Sequence, residues 1–191
     1  AFKYGCFDEC FLLSGKPQNF ILRCVSGGRT MCANNEKQYV EGRIQDFDAV
    51  SLYPSAMSIM EGVPKGIPKV IPSDITKEEL LRYDQFFAEI NIKSIKCKSD
   101  VPYNFGQLFS RNEQGSKLFN NNPIDHFYID KIGFKDLMEF YDFEYEFVRG
   151  YYFNDGFNNT INKFIEKLFN LRLKYKKQNN PLQSTIKLLL N

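Results

Sequence analysis

One short run of residues combines a carboxylate, a hydroxyl and a turn that leads into a helix. Residues 48 to 55 read Asp-Ala-Val-Ser-Leu-Tyr-Pro-Ser. Alternation from Gly42 to Asp48 predicts a strand before them, and Pro54 suits the first position of a short helix. Mg²⁺ prefers carboxylate and phosphate oxygens, and a turn donates N–H groups, so Asp48 and Ser51 suit a metal-bound phosphate. The alternative is a capping Asp at a strand end.

A second group of candidate residues is basic and lies near the C-terminus. Apolar residues from Thr160 to about Lys177 repeat at helical spacing, and Asn179-Asn180-Pro181 predicts a break followed by a second helix. In an antiparallel hairpin, Arg172 and Lys187 are each about seven residues from the turn, so both lie roughly 11 Å from it. Their charges can converge on one anion. The alternative is that these are ordinary solvated side chains.

Charge and cysteine content narrow the class of protein. The net charge is +2, but residues 160–191 hold seven basic side chains and one acid, so this stretch is +6 and the rest is −4. Five cysteines at irregular spacings are typical of a reducing compartment rather than a disulfide framework. A signal-peptide pattern and a membrane-length apolar run are both lacking. We therefore expect an intracellular protein without a membrane partner.

The remaining pattern predicts the elements that position these residues. The chain has 191 residues, 43% of them apolar, which is enough for a real core. In the first half we expect a hairpin or tight loop around a Gly-Gly turn (19–33) and a Pro-rich loop or sheet edge (61–73). A strand (86–96) and a long connection (104–125) should follow. The last predicted elements are a strand, a helix near 134–141 and an aromatic strand at 144–153. Together these predict an α+β fold with a mixed or antiparallel sheet.

The run from Asp48 to Ser55 resembles the first catalytic motif of family B DNA polymerases. Lys187-Leu-Leu-Leu-Asn191 resembles the start of that family's fingers motif, Lys-x-x-x-Asn-Ser-x-Tyr-Gly. Arg172-x-x-x-Lys176 resembles the basic pair that meets the phosphates of the incoming nucleotide. The motifs occur in the family's order, and Lys187 lies 139 positions after Asp48.

This resemblance implies a template-directed DNA polymerase that uses two Mg²⁺ ions to transfer a nucleotide from a dNTP to a primer hydroxyl or a protein hydroxyl. It implies that Asp48 and Val50 bind metal and that Asp48 and Lys187 are catalytic. It also assigns seven residues to the dNTP: Ser51, Leu52, Tyr53, Arg172, Lys176, Lys187 and Asn191. In this assignment Tyr53 lies under the sugar and excludes ribonucleotides, while Asn191 supports the nascent base pair.

Other segments resemble the protein-primed branch of the family, which is found in phages, larger viruses and linear plasmids. Ser26-Gly27-Gly28-Arg29 resembles its Tyr-x-Gly-Gly turn, with Val25 in place of the tyrosine. The resemblance implies that Gly27, Gly28 and Arg29 contact DNA, although the glycines also suit a simple tight hairpin. It implies template-primer DNA, dNTPs and a terminal priming protein as partners, in the host cytoplasm, an organelle or a viral replication site.

The predicted organisation is a leading segment (1–41), a partial palm (42–158) with an insertion near 97–125 that contacts DNA or the priming protein, and a helical-hairpin fingers region (159–191). The family's Tyr-x-Asp-Thr-Asp motif does not occur in the sequence, and the last helix has no stop signal. We therefore expect a fragment that is inactive alone. A different hypothesis is a non-catalytic nucleic-acid-binding module that docks its basic hairpin on phosphates.

Overall fold

The computed structural model describes residues 12–27, 37–49, 51–100, 106, 108–111, 113 and 117–190. The helices in these ranges are α1 (Gly15–Cys24), α2 (Leu52–Ile59), α3 (Lys77–Arg82), α4 (Lys131–Phe140), α5 (Thr160–Lys177) and α6 (Leu182–Leu190). The strands are β1 (Val63–Pro64), β2 (Lys69–Val70), β3 (Gln85–Cys97), β4 (Leu108–Arg111), β5 (Lys117–Asn120), β6 (Ile124–Asp130), β7 (Tyr141–Phe153) and β8 (Phe157–Asn158). The predicted α+β fold is confirmed.

The described chain forms two compact units. The unit that we call the hairpin unit contains α2, α5 and α6, and the unit that we call the sheet unit contains α1, α3, α4 and strands β2 to β7. No helix in the described ranges is long and apolar enough to cross a membrane.

The sheet unit is built on four strands in the order β2, β7, β3, β6, and every neighbouring pair is antiparallel. Phe86, Ala88, Ile90 and Ile92 alternate along β3 and are all buried, as expected when one face of a strand meets the core. Helix α4 contributes Phe134 to this core, and its ring packs edge-on against Phe86 with 5.7 Å between centroids.

The hairpin unit has its own small core. Ile165 of α5 is buried with Ile186 and Leu190 of α6, while Ile161 and Leu168 of α5 pack around them. These α5 residues follow the i, i+3, i+4, i+7 spacing, so the predicted amphipathic helix is confirmed. The predicted break is also confirmed, since Asn179 has a φ of 51° and the Asn180 side chain accepts a hydrogen bond from the Leu182 N–H at 3.0 Å.

Two of the sequence predictions about local structure are wrong. The extended segment expected from residue 19 is helix α1, because Phe20 and Cys24 lie one helical turn apart and Phe20 packs edge-on against Tyr128 and Tyr151 of the sheet. The strand expected from Gly42 to Asp48 is also absent: residues 43–49 are exposed and have no regular structure. A strand needs a neighbour for its backbone groups, and the described residues provide none there.

The other predicted elements are confirmed with small shifts. The strands and the helix expected after residue 85 appear as β3, β6, α4 and β7, and the Pro-rich segment contributes only the edge strand β2 to the main sheet. The short helix after Asp48 begins at Leu52 rather than at Pro54. The connection expected from 104 to 125 contains the β4–β5 pair, which the sequence analysis missed.

Candidate nucleotide site

The hairpin unit brings two of the predicted site residues into direct contact. Ser51 precedes α2 in the left-handed conformation, with a φ of 49° and a ψ of 56°. Its side chain does not cap the helix. The hydroxyl Oγ instead accepts a hydrogen bond from Arg172 Nη1 at 3.0 Å. Residues 121 positions apart in the sequence therefore meet at the turn that was predicted to bind phosphate.

Arg172 is half-buried and keeps unused donors at this position. Its Nε is buried and has no hydrogen-bond partner among the described residues. A guanidinium carries five N–H donors in a fixed fork, so an anion beside Ser51 would find several of them directed from one side chain.

The first turn of α2 adds backbone donors to this position. The Ser51 carbonyl accepts from the Ser55 N–H at 2.9 Å, which closes the first turn. The N–H groups of Leu52 and Tyr53 belong to the first turn and have no partner within the helix, and they lie at its positive end. The Leu52 and Tyr53 side chains are exposed, at 61% and 72%. The arrangement is therefore open to an anionic ligand from solution.

The remaining predicted site residues are distributed differently. Asp48 lies three residues before Ser51 and is exposed. Lys176 and Lys187 occupy the last turns of α5 and α6 and are also exposed. The structure thus joins Ser51 to Arg172, and it describes no contact from Asp48, Lys176 or Lys187 to that pair.

Four predicted residues lie outside the described ranges: Gly28, Arg29, Val50 and Asn191. Gly27 is described and exposed, with no atom within 4 Å of the position that a Cβ would take. The described residues contain no cluster of three or more His, Cys, Asp or Glu side chains that could hold a metal ion. Asp48 stays the carboxylate that the sequence motif predicts as a metal ligand.

The sheet unit contains a buried charge that the sequence motifs do not indicate. Glu89 is 2% exposed on β3, and its carboxylate accepts from Arg149 Nε at 2.6 Å and lies 2.6 Å from His126 Nδ1. Burial alone raises the pKa of Glu89, but the hydrogen bonds from Arg149 and His126 outweigh it and hold the pKa below its ordinary value. The sequence signal of this buried charge is an acid between Ala88 and Ile90 in an apolar strand. Its partners His126 and Arg149 are 37 and 60 residues away, so the sequence around Glu89 does not reveal them.

The fold is similar to that of a type B DNA polymerase. The family model for type B DNA polymerases of organelles and viruses matches residues 4–191, so the chain belongs to this family. The family expected from the sequence motifs is thereby confirmed. The comparison with curated protein sequences gives no match.

Three solved structures of Phi29 DNA polymerase have a similar fold. The complex with primer-template DNA is 19% identical, with a TM-score of 0.50 over 74% of this chain and 23% of that chain. The orthorhombic crystal form is 19% identical with a TM-score of 0.55, over 74% and 24%. The ternary complex with primer-template DNA and incoming nucleotides is 21% identical with a TM-score of 0.54, over 76% and 25%. This chain spans about a quarter of the length of these polymerases.

Proposed function

We propose that this chain is a segment of a template-directed DNA polymerase and that its hairpin unit binds the triphosphate of the incoming deoxynucleotide. Family membership supports the polymerase class. The observation that carries the nucleotide site is the hydrogen bond of 3.0 Å from Arg172 Nη1 to Ser51 Oγ, at the start of α2. It puts a cation with spare donors beside the positive end of a helix, and a polyanion is the ligand that both favour.

In the proposed complex, phosphate oxygens accept from the Arg172 fork and from the N–H groups of Leu52 and Tyr53. The unpartnered Arg172 Nε supports this role, because the guanidinium has donor capacity beyond its bond to Ser51. Lys176 and Lys187 add positive charge as the transferring phosphate becomes more negative, and Lys187 is the proposed catalytic cation. Tyr53 lies against the sugar and Asn191 supports the new base pair.

Asp48 and Val50 are the proposed metal ligands of the segment. An exposed carboxylate next to a phosphate-binding turn has the oxygen donors that Mg²⁺ prefers. When bound, Mg²⁺ ions stabilise charge on the triphosphate and make the primer hydroxyl a better nucleophile. Asp48 supplies one carboxylate, and the further carboxylate of a two-ion site is proposed to come from a longer polymerase chain.

The other parts of the proposal concern DNA and the protein primer. Gly27, Gly28 and Arg29 form the proposed DNA-contacting turn, and the segment near 97–125 contacts DNA or a terminal priming protein. We keep the division into a leading segment (1–41), a partial palm (42–158) and a fingers region (159–191). The proposed location is a reducing compartment in which viral or organellar DNA is replicated.

The test is nucleotide incorporation by the longer polymerase that contains this chain. Asp48→Asn should abolish Mg²⁺-dependent incorporation and leave the affinity for primer-template DNA within about twofold, since the substitution removes a metal ligand only. Full incorporation by Asp48→Asn would contradict the proposal. If no deoxynucleotide binds in a Mg²⁺-dependent way while DNA still binds, the nucleic-acid-binding module is the better description.

A further inference from the structure

Helix α2 is attached to α5 at both of its ends. At the N-terminal end, the cap residue Ser51 accepts from Arg172. At the C-terminal end, the cap residue Met60 offers its carbonyl oxygen to the side-chain amide of Asn162, whose Nδ2 donates to it. Both partners belong to α5, so one helix holds the two caps of the other.

The two hydrogen bonds fit one alignment of the helices. Ser51 and Met60 are nine residues apart, which is roughly 13.5 Å of helix, and Asn162 and Arg172 are ten residues apart, which is roughly 15 Å. The order is reversed between the two helices, so they run antiparallel. Moving α2 along α5 by one turn, about 5.4 Å, would break both bonds together.

Packing alone does not account for an amide at position 162. Asn162 Oδ1 is buried and has no hydrogen-bond partner among the described residues, so this side chain makes one hydrogen bond and leaves a second polar atom unsatisfied. A small apolar side chain would avoid that unfavourable term. What the amide adds is the directional bond to the end of α2.

We propose that Asn162 is a positioning residue of the nucleotide site: its hydrogen bond to Met60 fixes the alignment of α2 along α5 and thereby places the Arg172 guanidinium on Ser51. The inference rests on the proposed function for its role in nucleotide use. The alignment itself can be tested without any nucleotide.

The first experiment observes Arg172 in the 191-residue protein without ligand. The Nε–H of Arg172 gives a ¹H–¹⁵N signal that is absent in Arg172→Lys, which assigns it. Asn162→Ala should shift this signal and speed its hydrogen exchange at least tenfold, whereas Asn170→Ala, an exposed amide on the same helix, should leave it unchanged. An unchanged signal in Asn162→Ala overturns the proposal.

Two further variants separate alignment from general loss of structure. Asn162→Gln keeps the amide donor and should restore most of the protection of the Arg172 Nε–H. Asn162→Asp keeps the size of the side chain but lacks the donor, so it should behave like Asn162→Ala. If the Asn162→Gln and Asn162→Asp variants give the same Arg172 signal, the side-chain N–H donor at position 162 does not protect the Arg172 Nε–H, and the proposal fails.

The second experiment measures nucleotide kinetics in the longer polymerase. Asn162→Ala should raise the KM for all four dNTPs at least threefold, with kcat changed less than twofold, and Asn170→Ala should match the wild type. A double variant tests whether the two bonds act together. In Asn162→Ala combined with Ser51→Ala, KM should rise by less than the product of the two single fold-changes, because both bonds maintain one alignment. A rise in KM equal to that product would overturn the proposal. A wild-type enzyme without nucleotide incorporation would refute the proposed function, while the Arg172 signal would still decide the alignment.

Discussion

Single substitutions of Arg172 and Lys187 test the roles proposed for these two cations in nucleotide use. Arg172 is half-buried on Ser51, whereas Lys187 and Lys163 are exposed on their helices. In the longer polymerase, Arg172→Ala and Lys187→Ala should each lower kcat/KM for dNTPs at least tenfold, about 1.4 kcal/mol, because each removes a charge that is proposed to stabilise the transferring phosphate. The loss should be similar for all four nucleotides, since phosphates carry no base identity.

The matched control is Lys163→Ala. Lys163 lies near the start of α5, nine residues and about 13.5 Å from Arg172, so only weak, screened attraction to a triphosphate is expected. Steady-state kinetics of the three variants checks this. Equal effects at Lys163 and Lys187 would show that the hairpin carries a diffuse basic patch and that the nucleotide roles of Arg172, Lys176 and Lys187 are wrong.

Tyr53 gives a second prediction at the residue scale. Its side chain is 72% exposed in the first turn of α2, next to the proposed triphosphate position, so a sugar can lie against its ring. Tyr53→Val in the longer polymerase should admit ribonucleotides more readily, because the ring would no longer collide with a 2′-hydroxyl. The ratio of ribonucleotide to deoxynucleotide incorporation measures this. An unchanged ratio would remove the steric role.

Sequence patterns predict which residues belong to the candidate site better than they predict the contacts between those residues. The Ser-Leu-Tyr-Pro turn and the basic residues were found from composition and spacing, and the family they indicated is confirmed. The hydrogen bond between Ser51 and Arg172 was not predicted, because it depends on how α2 lies along α5 and on a left-handed Ser51. Neither property is encoded within the few residues around Ser51.

At the scale of elements, the sheet depends on a close approach at Gly150. A Cβ on Gly150 would come 2.5 Å from the Phe87 carbonyl oxygen and 2.8 Å from Ile71 Cδ1. Gly150→Ala should therefore lower the free energy of unfolding by about 1–3 kcal/mol, since β7 must move away from β3. Gly27→Ala is the control, because its Cβ would meet no atom within 4 Å. Urea denaturation of both variants checks this, and equal stabilities would contradict it.

Glu89 gives a prediction about the dependence of stability on pH. Its pKa is lower in the folded protein than its ordinary value of 4.5. The stability that the ionised carboxylate contributes is therefore fully present above pH 4.5 and is lost as the pH falls through the pKa of the folded protein. Glu89→Gln should cost about 2 kcal/mol of unfolding free energy at pH 7, because two charge-assisted hydrogen bonds are weakened. The cost should shrink at pH 3.

The control for this acid-dependent loss is Glu139→Gln, which changes an exposed glutamate on α4. Urea denaturation at pH 7 and pH 3 should give the same stability for Glu139→Gln as for the wild type. A Glu89→Gln variant with wild-type stability at pH 7 would mean that Arg149 and His126 contribute nothing through the buried carboxylate.

Elements with long, unambiguous patterns could be predicted, and those that depend on distant partners could not. The alternating β3 and the amphipathic α5 carry their structure in their own periodicity. Residues 19–24 read as extended, yet they form α1 because Phe20 is buried against two tyrosines of the sheet more than 100 residues away. Tertiary contacts therefore overrode local preference there.

At the scale of the whole molecule, positive charge is unevenly distributed along the chain. The net charge of +6 in residues 160–191 lies on α5 and α6, which carry Arg172 and Lys187. The described residues contain no group of three metal-ligating side chains, and the motif offers Asp48 as its carboxylate. Among the described residues, the groups proposed to bind phosphate therefore outnumber those proposed to hold metal ions.

This imbalance predicts that the 191-residue chain alone does not extend a primer. Two ions held between carboxylates and a triphosphate need more than one carboxylate, and Asp48 supplies one. A primer-extension assay with Mg²⁺, dNTPs and a primer-template should give no product with the chain and product with the longer polymerase. Mg²⁺-dependent extension by the chain would show that carboxylates other than Asp48 complete the site within it. Loss of that product in Asp48→Asn would then identify the reaction as the chain's own, and the requirement for a longer chain would be wrong.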